Sequence, residues 1–258
     1  MTIIELNKRF YTVPTDWGEL SRRQLLLVMD VLYSNNDVDT ILLRLLKILT
    51  GISWLRFFLA PIEEKQEFFY LCFFLVNESG PTKNIIKKYG DLYGPDDEFN
   101  NITGDEFVFS EDQYLRFVNS GHKDTDALNH LVAILYRDGR HGYDHKVNPM
   151  GDGRMPFNQN ICSFSATKVI SKLPLNFKLY VFHWYHTCRQ QMIADNPDVF
   201  TGGSAEAKYG LLSVMRTIAE TGIHGDFDKV QKMYVKMWMM ELNEKIEEAK
   251  RIEKSYKK

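Results

Sequence analysis

The chain has 258 residues, enough for one large core or two small ones. A composition 44% hydrophobic, 13% aromatic and 26% charged is that of an ordered globular protein and excludes extensive disorder. Its 32 basic and 34 acidic side chains give a formal charge of -2, so no overall field draws the chain to nucleic acid or an anionic membrane, and such binding needs a local patch.

Met1 to Phe10 alternates apolar and polar residues around Glu5 and lacks the apolar centre of a signal peptide, so a soluble protein of the cell interior is expected. In the same stretch Thr2 to Leu6 and Arg9 to Val13 read as two short strands about a turn at Asn7-Lys8, with Pro14 ending the ladder. Ser21 and Gln24 have the spacing of a capping box, and Leu20 and Leu25 that of a hydrophobic staple, which together start a helix from Arg22 to about Tyr33. A second helix carries Ile41, Leu42, Leu45, Leu46, Ile48 and Leu49 on one broad face and stops at Gly51. Trp54 to Leu59 is a short apolar segment, after which Pro61, Glu63 and Glu64 mark the start of a helix running to about Val76. The apolar run Phe68 to Val76 falls well short of the ~20 residues that cross a bilayer, so it reads as a buried helix segment and no membrane association is expected.

From Asn77 to Ser110 the composition turns to Gly, Pro, Asp and Asn, with turn signals at Gly94 to Asp97 and at Asn100-Asn101. Glu106 to Phe109 alternates as a strand does, which predicts a small α+β insertion here. Helices follow over Glu111 to Val118 and, capped by Asp124 or Thr125, through Leu135. Asp138 to Asn160 is rich in glycine and proline and reads as a long irregular loop, of the kind that is commonly functional or mobile. The remainder predicts helices over Ser165 to Lys172, Pro174 to about Ala194, Ser204 to Thr221, and Asp226 to near the C-terminus. The expected fold is therefore mainly α: a multi-helix globular protein with a short N-terminal β-hairpin and a small α+β insertion in the middle. Its regions are 1–76, a loop-rich insertion or boundary over 77–110, and 111–258, the last standing apart or forming one compact domain with 1–76.

His183-Trp184-Tyr185-His186-Thr187-Cys188 places two imidazoles on one helical face with a thiol nearby, and His141 and His145 of the long loop offer further metal ligands. Residue 184 is tryptophan where the zinc-protease helix carries its glutamate, and the second histidine comes one position early, so no general base is supplied. An aromatic cluster in a core or interface is the favoured reading, and no metal or other cofactor is expected. Cys72, Cys162 and Cys188 are an odd number without paired spacing, which suits a reducing compartment. Arg137, Arg140, Lys146 and Arg154, interleaved with Tyr136, Tyr143 and Phe157, have the make-up of a phosphate-gripping patch, but Asp138, Asp144 and Asp152 weaken it and nucleic-acid binding is not favoured. Neither a phosphate loop nor a Gly-x-Ser-x-Gly elbow occurs, so no catalytic residue is assigned and the protein is read as non-catalytic. A metal-dependent enzyme built on His183 and His186 stays open as the alternative. Near the C-terminus Leu242, Ile246, Ala249 and Ile252 form a thin apolar stripe on a charged helix, suited to a partner helix or to a solvated end.

Tyr11-Thr12-Val13-Pro14 followed by Trp17-Gly18-Glu19-Leu20-Ser21-Arg22-Arg23-Gln24 resembles the opening of the tail assembly chaperones encoded by tailed bacteriophages and prophages. Further likeness lies at Leu131 to Arg137, at Cys188-Arg189 with Pro197 to Phe200, and at Gly210 to Leu212 with Gly225-Asp226. The resemblance implies a non-catalytic protein that binds the tape-measure or other tail proteins while a tail is built, in the cytoplasm of the bacterial host or carried into the virion. A head–tail connector or other virion component fits the same likeness, and a homo-oligomer stays open. Trp17 and Glu19 are not required by the Ser21 cap, so they carry the family signal and are the expected partner contacts together with the C-terminal stripe.

Overall fold

A computed structural model describes residues 1–76, 80–143, 151–201, 215–216, 218–220 and 222–256. Helix makes up 63% of it, with twelve α-helices among the described residues, an N-terminal two-stranded hairpin and a small three-stranded sheet in the middle, so the chain is mainly α as its periodicity predicts. In order, the elements are β1 (Thr2–Leu6), β2 (Arg9–Val13), α1 (Arg22–Leu32), α2 (Val38–Thr50), α3 (Trp54–Leu59), α4 (Ile62–Gln66), α5 (Phe73–Val76), β3 (Lys88–Tyr89), β4 (Leu92–Tyr93) and α6 (Gly104–Asn119). They continue with α7 (Thr125–Leu135), β5 (Arg137–Asp138), α8 (Gln159–Lys168), α9 (Leu175–Asp195), α10 (Pro197–Thr201), α11 (Phe227–Gln231) and α12 (Val235–Tyr256). No described helix is long and apolar enough to cross a membrane. Chain contacts define two units, Met1–Ile85 with Leu173–Thr187, and Ile86–Lys172 with Cys188–Lys258.

In the first unit β1 and β2 pair antiparallel with Leu6 opposite Arg9, and both turn residues, Asn7 and Lys8, take positive φ. That is the backbone a two-residue hairpin turn requires, and asparagine tolerates it. Ser21 caps α1 as a full capping box: its Oγ accepts from the Gln24 amide while Gln24 Oε1 accepts from the Ser21 amide. Gln24 also donates from Nε2 to the carbonyls of Ile48 and Leu49, which ties the start of α1 to the end of α2. Asp37 caps α2, and Gly51 closes it at φ 62, a left-handed conformation that glycine adopts without steric cost. The first part of α9 buries Phe177, Tyr180, Val181, Phe182, Trp184 and Tyr185. Its polar tips hold the strap that follows residue 80: Tyr180 Oη accepts from the Ile85 amide and donates to Asn84, and Trp184 Nε1 donates to the Thr82 carbonyl.

The expected single helix to Val76 is broken. After α4 the chain tightens into a 3-10 turn over Phe69–Cys72, with i to i+3 bonds from the Phe68 amide to the Lys65 carbonyl and from Leu71 to Phe68, before α5. This segment is not a wholly buried helix either. Leu71, Cys72 and Leu75 point inward, while Tyr70, Phe73 and Val76 remain exposed.

In the second unit α6 corrects the expectation of a strand at Glu106 to Phe109. The helix begins at Gly104, and its buried residues Phe107, Ser110, Glu111, Tyr114 and Phe117 recur at helical spacing over the whole element. That long period outweighs the short Phe107-Val108-Phe109 alternation. The sheet lies elsewhere, with β4 central between β3 and β5. Likewise α8 starts at Gln159, earlier than expected, because Asn158 accepts from the amides of Asn160 and Ile161 and so caps it. The C-terminal stretch divides into α11 and α12, whereas the expected helix from Ser204 to Thr221, and the Gly202-Gly203-Ser204 cap before it, lie largely outside the described residues.

Gly104 is fixed by close packing. Its amide donates to the Met233 carbonyl, and a Cβ built on it would lie 1.6 Å from Cζ2 of the buried Trp238. Gly104→Ala is expected to cost about 1–3 kcal/mol through overpacking, read as a shift of the denaturant midpoint; an unchanged midpoint means the indole moves aside freely.

Candidate partner interface

Within the first unit, a small apolar cluster of Leu6, Ile52 and Ala60 is covered by Tyr11, Phe57 and Phe68. The α3 helix supplies Phe57 to it, and Lys65 of α4 lies buried with Nζ 5.0 Å from the centre of the Phe57 ring. With its inward face so occupied, α3 turns its other large apolar side chains to solvent. Trp54 is 65% exposed, Leu55 60%, Phe58 67% and Leu59 66%, and the Trp54 and Phe58 rings stack at 5.5 Å. Single exposed hydrophobic residues are ordinary, but four on one short helix, two of them stacked aromatics, make this face a candidate surface for a partner. The sequence reading missed this site because an apolar segment is normally read as core. Set against known protein families, curated proteins and solved structures, the chain matches none.

The residues expected to meet a partner lie on other elements. Trp17 is only 8% exposed, with its ring 5.3 Å from His183 and edge-on to Phe74. It lies in a short turn over Trp17–Glu19, whose first amides are capped by Asp16. The Glu19 carboxylate accepts from the Thr15 amide and hydroxyl and pairs with the Met1 ammonium. That ammonium, more than the Thr15 bonds, holds its pKa below the usual carboxylate value. Trp17 and Glu19 thus brace the entry to α1. On α12, Val235, Trp238 and Met239 are buried, Leu242 and Ile246 are half-buried, and Ala249 and Ile252 are exposed. The end of the stripe is therefore its most exposed part.

His183 makes its Nδ1 contact with the Tyr33 hydroxyl at 3.1 Å, and its Nε2 is buried with no hydrogen-bond partner. Burial, assisted by His186, lowers its pKa to about 4, so it is neutral at physiological pH. His186 stacks with Phe182, and Cys188, further along the same helix, belongs to the second unit. Burial pushes the thiols of Cys72 and Cys188 up to about 12, and that of Cys162 upward, so each is a protonated, unactivated group. Among the described residues no group of three or more His, Cys, Asp or Glu is placed to hold a metal ion; His141 is exposed, and His145 lies outside those residues.

The phosphate-gripping patch is corrected for Arg137 and Arg154. Both are buried, and both point at Glu106 of α6: Arg137 reaches Oε1 at 2.6 Å, Arg154 reaches Oε2 at 3.0 Å, and Arg154 also holds Asp152 at 2.8 Å. Their remaining donors go to the carbonyls of Met155, Ile134, Leu135 and Asn101. These guanidiniums fasten the end of the long loop and have no face left for phosphate. Tyr136 is buried with its hydroxyl donating to the Ile86 carbonyl, and Tyr143 donates to Gly151. Arg140 is exposed, and Lys146 lies outside the described residues.

Proposed function

We propose that the protein is a non-catalytic tail morphogenesis factor that binds the tape-measure or tail-tube protein of a phage or prophage as an assembly chaperone. The observation that carries the reading is the exposed aromatic face of α3, with Trp54 stacked on Phe58 in solvent, beside the N-terminal motif whose likeness to tail assembly chaperones was given above. A chaperone for a long helical protein must offer apolar surface to segments that would otherwise aggregate, and a short rigid aromatic helix does so with little loss of side-chain freedom on binding. Its place of action is the cytoplasm of the bacterial host.

Co-expression with the tape-measure protein of the same genome is expected to give a complex that survives size-exclusion chromatography. Trp54→Asp with Phe58→Asp is expected to weaken it by about 100-fold or more, because buried aromatic anchors contribute ~2 kcal/mol or more each. Since both side chains are exposed, the circular dichroism spectrum and melting temperature should stay unchanged. Separate elution of the two wild-type proteins across salt concentrations defeats the reading. Detection of the chain at fixed copy number in purified particles replaces it with a virion component.

A further inference from the structure

Beside α3 the first unit carries a second surface, a groove of about 310 Å³ between the start of α1 and the end of α2. Leu27, Ile48 and Ile52 supply its apolar lining, and Arg23 and Lys47 its charge. No acidic residue lines it, and neither cation has an acidic partner among the described residues. Gln24, which also lines it, spends its amide on the Ser21 amide and on the carbonyls of Ile48 and Leu49 and so forms wall. The first turn of α1 holds Arg22 and Arg23 and no acidic residue, so the helix dipole adds to the positive potential there. The α3 face begins just after Ile52, so groove and aromatic helix are consecutive along the chain.

We propose that this groove takes an acidic amphipathic helix of the partner protein, with apolar side chains on Leu27, Ile48 and Ile52 and carboxylates on Arg23 and Lys47. The proposal rests on the partner-binding reading above and adds the partner's chemistry. Apolar residues fix the helix in the groove, and Arg23 and Lys47 repel basic helices that the apolar lining alone would accept. Electrostatic pairing at the edge of a groove acts chiefly on selectivity and on association rate, so binding falls as salt rises.

The test uses the full-length chain, isotope-labelled for amide NMR, and a helical peptide of about 16 residues with leucines on one face and glutamates on the other. A control peptide carries lysine in place of each glutamate. Saturable shifts centred on Leu27, Ile48 and Ile52 are expected with the glutamate peptide. Arg23→Glu with Lys47→Glu should weaken that peptide at least about tenfold and improve the lysine peptide. Equal binding of the two peptides, shifts centred elsewhere, or a double variant that keeps its affinity for the glutamate peptide each overturn the proposal. So does concentration-dependent self-association abolished by Leu27→Asp, because the occupant is then a second copy of this chain. A tape-measure complex that ignores Arg23→Glu with Lys47→Glu but is lost with Trp54→Asp and Phe58→Asp overturns the groove and leaves the chaperone reading standing.

Discussion

Glu106→Ala is expected to lower the unfolding free energy by about 3–5 kcal/mol, the largest effect of any single substitution argued for this chain. The reason is the charge balance in a buried place. Glu106 is 2% exposed and Arg154 1% exposed, and the carboxylate is shared between Arg154 on one oxygen and Arg137 on the other. Asp152 is the second anion, at 2.8 Å from Arg154 and 3.5 Å from Arg137. Burial disfavours the charge on Arg154, but Glu106 and Asp152 more than offset this and hold its pKa above the ordinary arginine value. Removing Glu106 leaves two buried guanidiniums against one carboxylate, and arginine cannot shed its proton to escape. Equilibrium unfolding in guanidinium chloride reads the loss directly, with the slope of the transition checked for two-state behaviour. Replacing Glu106, Arg137 and Arg154 together by apolar residues of similar size should recover much of it, since the whole set is worth less than its broken parts suggest. A loss below about 1 kcal/mol for Glu106→Ala means that water reaches the guanidiniums, contrary to their burial here.

The parts of the fold legible in the sequence are those decided by neighbours along the chain. The Asn7-Lys8 turn, the Ser21–Gln24 box and the aspartate caps at Asp124 and Asp226 all form within a few residues, and each caps or turns as its residue types dictate. What sequence reasoning missed depends on partners far away. Arg137 and Arg154 look like phosphate ligands until Glu106, on another helix, is found between them. His183 looks like half of a metal site until Trp17 and Tyr33 close over it. The start of α6 was hidden because Gly104 serves Trp238, a contact no local pattern announces. The α3 face was hidden for the opposite reason: apolar composition says that a surface wants covering, and not whether this chain or another covers it.

The first unit is expected to lose about 3 kcal/mol of stability as the pH falls from 6.5 to 4, and His183 is the cause. In the folded chain its imidazole packs against the Trp17 and Tyr33 rings, the Tyr33 hydroxyl meets Nδ1, and Nε2 is buried without a hydrogen-bond partner. A proton added to this ring would put a charge where burial penalises it and where His186 repels it, which is why its pKa is lowered from 6.5 to about 4. Unfolding exposes the ring to water and restores the ordinary value. Between the two values the unfolded chain therefore binds a proton that the folded chain does not, and stability must fall with falling pH throughout that window. The stabilisation is complete above about pH 6.5 and the loss saturates below about pH 4. His183→Gln keeps a polar group that can meet Tyr33 but does not titrate, so ionisable groups other than His186, which couples to His183, contribute equally to the two proteins. Subtracting the variant's stability-against-pH curve from the wild-type curve isolates the histidine. A difference that stays flat from pH 7 to 4 would show that the ring is charged in the native chain or reaches solvent, and the close packing of Trp17 against it would then have to open. If the difference has the expected slope, Trp17→Ala should reduce it by letting water to the ring, which gives this residue of the N-terminal motif a measurable role in keeping His183 neutral.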